Sequence, residues 1–257
     1  MSTPRPSRHR QASARRSGAE SNAAPPAPAA ADNRPSHVYE YLRDLIVRGQ
    51  IAPGTRLVEV DIAARLEVSR TPVRAALQRL QQEGYILLAP GLQQARPVVA
   101  PLTQGDGREL FHIVAELEGL AARGAAELAP APRRALVADL RALNQDFGAA
   151  AADARPDHAR LQSLDEQFHA RYVDAGAGPR LAALHAAVKP QAQRYERLYV
   201  SMLVNQIPTS VAEHDAIVRA IRAGDPDAAQ QAVRTNWRNA AERLATVIER
   251  AGERGAW

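Results

Sequence analysis

Residues 53–85 read PGTRLVEVDIAARLEVSRTPVRAALQRLQQEGY, and this stretch decides the N-terminal fold. Pro53-Gly54 marks a turn. Ile62, Ala63 and Leu66 then recur at helical spacing, and the break Glu67-Val68-Ser69 leads to a second helix over 70–83. In that second helix Val73, Leu77 and Leu80 form one stripe, while Arg70, Thr71, Arg74, Gln78 and Gln81 occupy the opposite side. Two short helices around so tight a break have the layout of a helix-turn-helix. The polar face suits a DNA major groove, where Arg pairs bidentately with guanine, Gln with adenine, and Ser or Thr with phosphate. Periodicity alone fits equally well an ordinary surface helix with its charges outside.

On the N-terminal side, Val38, Leu42, Leu45 and Ile46 predict a helix that Gly49 ends. On the C-terminal side, Gly84 stops the second helix, and YILLAP and ARPVVA predict a β-hairpin around Gly91. The string 53–85 resembles the N-terminal winged helix of GntR-type transcriptional regulators, whose pattern runs PG, then RL.E..LA..L.VSRTPVR.AL..L..EG. The resemblance implies that Ser69, Arg70, Thr71 and Arg74 contact DNA and that the hairpin is the wing. Gln78 extends the same face. Val60 stands where some members carry a basic DNA contact, and the Arg-Gly pair often seen near the wing tip is missing, with Arg96 as its substitute.

Charge divides along the chain as this organisation requires. Of the net +5, residues 1–35 carry +4 and residues 36–100 carry +2, whereas 101–257 are nearly balanced at −1. A polyanion-binding front end on a neutral domain is the expected plan. Residues 1–35 are rich in Pro, Ser, Ala and Arg and are expected to be a disordered basic tail. The absence of cysteine excludes disulfides, thiolate metal sites and cysteine nucleophiles. No apolar run approaches the ~20 residues that cross a bilayer, and no apolar segment follows the basic N-terminus as in a secretory signal. A cytoplasmic protein with no membrane partner is expected.

From Leu102 onward the pattern is helical, over 103–128, 132–150, 157–175, 178–204, 209–222 and 226–251, with N-terminal signals at Thr103, Asp157 and Asp225-Pro226. The expected fold is mainly α: a winged helix-turn-helix with a small hairpin over 36–101, then an antiparallel bundle of six or seven helices over 102–257. Asp165 and His169 lie four apart on one helix and share a face, which fits either a divalent-metal pair or an intrahelical hydrogen bond.

Three strings, ELEGLAARGAAELA at 116–129, LDEQFHARYVDAGAGPRL at 164–181 and EHDAIVRAIRAGDPDAAQQAVRTNW at 213–237, resemble the all-helical ligand-binding domain of the FadR branch of GntR regulators. The resemblance implies a metal site in which His169 and His214 join Asp165, with zinc or nickel as the expected ion, and an effector that is a small carboxylic acid. The family's third histidine is here Asn236, open to service as an amide ligand or as a donor to the effector. Arg194 is the candidate cavity cation, and Val114 replaces an arginine that relatives often carry in the first helix of the domain. The functional expectation is a homodimeric bacterial regulator, most simply a repressor, that binds double-stranded operator DNA and is not an enzyme. The competing reading is a metal-dependent helical enzyme carrying an accessory basic DNA-binding module.

Overall fold

The computed structural model describes residues 35–89 and 96–255. The expected basic tail, up to residue 34, and the expected wing tip around Gly91 lie outside the described residues. The apolar stripe of the first helix forms α1 (Pro35–Val47), followed by α2 (Glu59–Leu66) and α3 (Arg70–Gln82). Glu67 makes the sharp turn after α2 in the left-handed conformation, at φ 53°. Val73, Leu77 and Leu80 point inward against Val38, Leu42 and Ile46 of α1 and against Tyr85, Ile86 and Val99. Strands β1 (Ile86–Ala89) and β2 (Arg96–Val99) pair antiparallel, with Ile86 opposite Val99 and Ala89 opposite Arg96.

The rest is helical: α4 (Gln104–Ala126), α5 (Pro130–Ala151), α6 (His158–Gly176), α7 (Pro179–Leu203), a 3-10 turn (Val204–Gln206), α8 (Ile207–Ala223) and α9 (Pro226–Ala251). Thr103, Asp157 and Asp225 cap α4, α6 and α9 through side-chain oxygens that accept backbone N–H groups of the first turn. Pro130 and Pro208 lie inside α5 and α8, which begin two residues before the expected 132 and 209. They occupy first turns, where a missing N–H has no helical partner to lose. A second core joins Phe111, Val114, Leu140, Phe168, Tyr172 and Trp237, and α4 packs most extensively on α9. Where α4 meets α6, the helices approach so closely that a side chain on Gly124 would be driven into the backbone of Gly176, and one on Gly176 into the backbone of Ala121 and Ala125.

Helix α7 also holds the winged helix. Gln191 donates to the Glu83 carbonyl at 2.8 Å and Arg194 to the Ala100 carbonyl at 2.6 Å. Tyr195 donates to Asp106 at 2.6 Å and accepts from the Thr103 N–H at 3.1 Å. Leu102 and Arg254 exchange backbone hydrogen bonds, which ties the connecting segment to the chain beyond α9. Among the described residues, no helix is long and apolar enough to cross a membrane.

Candidate nucleic-acid interface and effector cavity

Helix α3 presents Arg70, Thr71, Arg74 and Gln78 to solvent, with Ser69 at its N-cap. Neither arginine is idle. Glu59 of α2 accepts from Arg70 at 3.2 Å and from Arg74 at 3.2 and 3.1 Å. The hydrogen bond from Arg74 is the leading cause that holds the Glu59 carboxyl below its ordinary value, and Arg70 assists. One carboxylate therefore keeps two guanidiniums side by side on the exposed face. Arg96 lies exposed at the start of β2, and Val60 is exposed on α2.

In the helical domain α6 and α8 bring Asp165, His169 and His214 together, with one ligand atom of each within 4.8 Å of the others. Of the two alternatives for Asp165 and His169, the intrahelical hydrogen bond gives way to a longer-range partner, while the two residues stay together in the cluster. Nδ1 of His169 donates to Glu118 of α4 at 2.6 Å, because an ionised carboxylate has no proton to give. His214 Nδ1 faces the Asn144 Oδ1 at 3.1 Å, while the amide nitrogen of Asn144 is spent on Val211 and Asp215. The second nitrogen of His214 is buried without a hydrogen-bond partner, 3.5 Å from the Asp165 carboxylate. Phe168 stacks on the His214 ring at 4.0 Å and fixes its plane. Burial, seconded by the charge of His169, pushes the His214 imidazole well below its ordinary value, so it is neutral and its Nε2 carries a lone pair.

A lone pair facing a carboxylate oxygen in a buried setting calls for a cation between them. Each histidine has its other nitrogen anchored, as metal-ligating imidazoles do, so these residues fit a divalent transition metal.

Glu118 is foremost among the residues that sequence reasoning missed, with Asn144, Glu196 and Arg243. Its fully buried carboxylate accepts from Tyr172 at 2.6 Å and Trp237 at 2.8 Å besides His169, and His185 lies 2.9 Å from its other oxygen. Lys189 lies 3.9 Å away and sits 4.0 Å over the Trp237 ring. Burial opposes ionisation, but the charges of His169 and Lys189 and the hydrogen bonds from His169 and His185 prevail and hold the carboxyl well below the usual range. The signal was present: Glu118 falls in register on the buried stripe Phe111, Val114, Ala115, Ala121, Ala122 and Ala125.

A cavity of about 110 Å³ opens beside the trio. Phe147, Leu161, Leu203, Ile207 and Ala240 form its apolar walls, and Asp165, His169, Glu196, Asn236 and Arg243 are among its polar groups. Arg194 does not line it. That guanidinium is consumed at the joint with the winged helix, where α7 turns it away toward Ala100. The cavity's guanidinium comes from α9: Arg243 forms a bidentate pair with Glu213 at 2.9 and 3.0 Å. Asn236, seven residues earlier on the same face, lines the cavity and donates one N–H to Glu213 at 2.9 Å.

The chain matches the family described as the FCD domain over residues 109–239 and that described as bacterial regulatory proteins, gntR family, over residues 35–92. It belongs to the GntR family, with an FCD domain. An HTH-type transcriptional regulator in an unstable DNA locus of Streptomyces ambofaciens is 33% identical to it over 201 residues, covering 78% of this chain and 80% of the relative. The HTH-type transcriptional repressor RspR of Escherichia coli is 36% identical over 91 residues, 35% of this chain and 39% of that one. A solved GntR regulator from Rhodococcus sp. RHA1 superposes with a TM-score of 0.61 at 25% identity, covering 83% of this chain and 98% of that one. These similarities are to transcriptional regulators, and the competing reading as a metal-dependent enzyme falls with them.

Proposed function

We propose that this GntR regulator is a cytoplasmic repressor whose operator affinity is set by a small carboxylic acid bound in the FCD cavity. Residues 36–101 read DNA, with Arg70, Arg74 and Gln78 on base edges, Ser69 and Thr71 on phosphates, and Arg96 at the wing. Residues 102–257 bind the effector and join two copies, since one winged helix reads only half of a two-fold operator. Repression is the mode named for RspR.

The observation that carries the effector reading is the unpartnered Nε2 of His214 facing Asp165 at the edge of the cavity. Asp165, His169 and His214 would hold zinc or nickel there, and the bound ion would supply Lewis-acid affinity for a carboxylate oxygen. Arg243 is the second cation within the same walls. Glu118 and Asn144 orient the two imidazoles. A volume of about 110 Å³ holds several waters or one compact acid and excludes a long acyl chain.

The test is operator binding by the full-length protein, using fragments selected from the source genome, with and without zinc and a panel of short carboxylic acids. An acid that changes operator affinity by a given factor must have its own affinity changed by the same factor when operator is added. Equal operator affinity across the whole panel, zinc present, overturns the reading.

A further inference from the structure

Most polar groups in the cavity are already committed to the protein. Arg243 and Asn236 are turned to Glu213, His169 to Glu118, and Gln162 donates to Glu166 at 2.8 Å. Glu196 of α7 differs. Its Oε1 accepts from Lys189 at 3.0 Å, but Oε2 is buried without a hydrogen-bond partner. The side chain lines the same cavity as Asp165 and His169.

A plain carboxylate is acceptor throughout and cannot satisfy a second acceptor. It would meet Glu196 Oε2 with repulsion in a setting where water is scarce. From this geometry we infer that the guest is a compact carboxylic acid that also carries an O–H or N–H donor, and that Glu196 is the residue selecting for that donor. The inference rests on the effector reading above and adds the second functional group. Lys189 already neutralises Glu196 through the other oxygen, so a hydroxyl suffices, and an ammonium would bring a further charge. The apolar walls at Leu161, Leu203, Ile207 and Ala240 leave the carbon skeleton short and without further polar groups. A site built to hydrogen-bond one group rejects the analogue that lacks it, because the buried partner is then left unpaired.

Three acids of equal length separate the possibilities: propionate without a donor, lactate with a hydroxyl and alanine with an ammonium. Each is titrated calorimetrically into the full-length protein supplemented with zinc. Lactate or alanine is expected to bind at least about tenfold more tightly than propionate, and whichever wins identifies the donor. In Glu196→Gln, Lys189 retains the amide oxygen and the NH2 group faces the guest, so the repulsion is removed, propionate should bind more tightly than to the native protein, and the advantage of the donor-bearing acid should shrink. Propionate binding as tightly as both others overturns the inference, and so does a loss in Glu196→Gln that is equal for all three. The native comparison stands even if the variant fails to fold. No binding of any of the three removes the effector reading itself, which separates that failure from this one.

Discussion

The reading head of α3 and the buried cluster behind the cavity are both built from carboxylates shared among several donors, but they sit in opposite surroundings. Arg70 and Arg74 share Glu59 with side chains 60% and 58% exposed, whereas Glu118 is wholly buried among His169, Tyr172, His185 and Trp237. In water, each arginine pair contributes little to stability and is readily exchanged for a phosphate or a guanine edge. In the core, the donors around Glu118 are shut off from water: His169 and Tyr172 retain only each other at 2.7 Å, and removing the carboxylate leaves the Trp237 N–H without its acceptor. Exchangeable charge lies where a partner must be met, and locked charge lies where two imidazoles must be held in place.

The largest expected effect tests the locked half. Glu118→Gln should lower unfolding free energy by roughly 3–5 kcal/mol, the range for breaking a buried ion pair, as read from denaturant midpoints. The same variant should change pH dependence. Desolvation works against the His169 imidazolium, yet Glu118 overcomes it and raises the folded-state value. The stabilisation is therefore complete below the unfolded histidine value of about 6.5 and is lost as pH rises through the higher folded value. The melting temperature of chelator-treated protein should fall over that rise, and the slope should flatten in Glu118→Gln. A slope that survives the substitution would mean that His169 is not governed by Glu118.

Next in size is the metal. Asn144→Ala, which frees the His214 ring, should weaken zinc binding by about 10–100-fold, and His214→Ala should weaken it at least as much. Asn236→His should tighten it by supplying an imidazole. Competition with a chromophoric chelator reads all three. On the exposed side, Arg74→Ala should cost about 1–3 kcal/mol of operator binding and relax base preference, with the melting temperature unchanged. An equal loss on random DNA would reduce Arg74 to a phosphate contact. The smallest expected effect is that of Glu59→Gln on stability, within about 0.5 kcal/mol. A larger loss would show that the reading head is as locked as the core and would dissolve the contrast.

The same contrast explains what could be read from the residues. Helices α4 to α9 begin and end within a few residues of their expected limits, because Thr103, Asp157, Asp225 and Gly224 act locally. The exposed polar face of α3 was equally legible, since one helix carries all of it. The cavity is different. Asp165 and His169 share a helix and announce themselves, but Glu118, Asn144, Glu196 and Arg243 come from α4, α5, α7 and α9 and meet only after packing. Arg194 failed as a cavity residue for that reason: its sequence position on α7 says nothing about which side of the helix meets the winged helix.

The joint itself has a consequence for how such a protein can change over time. The acceptors that Gln191 and Arg194 engage are the main-chain carbonyls of Glu83 and Ala100, and the Leu102–Arg254 tie is main chain on both sides. Carbonyls are present whatever side chain a position bears. The recognition helix and wing are therefore free to acquire new base preferences by substitution without unfastening the joint, while Gln191 and Arg194 carry the burden of staying the same. A reading head redesigned for a new operator should thus keep its attachment to the sensing half, provided that α7 is left alone.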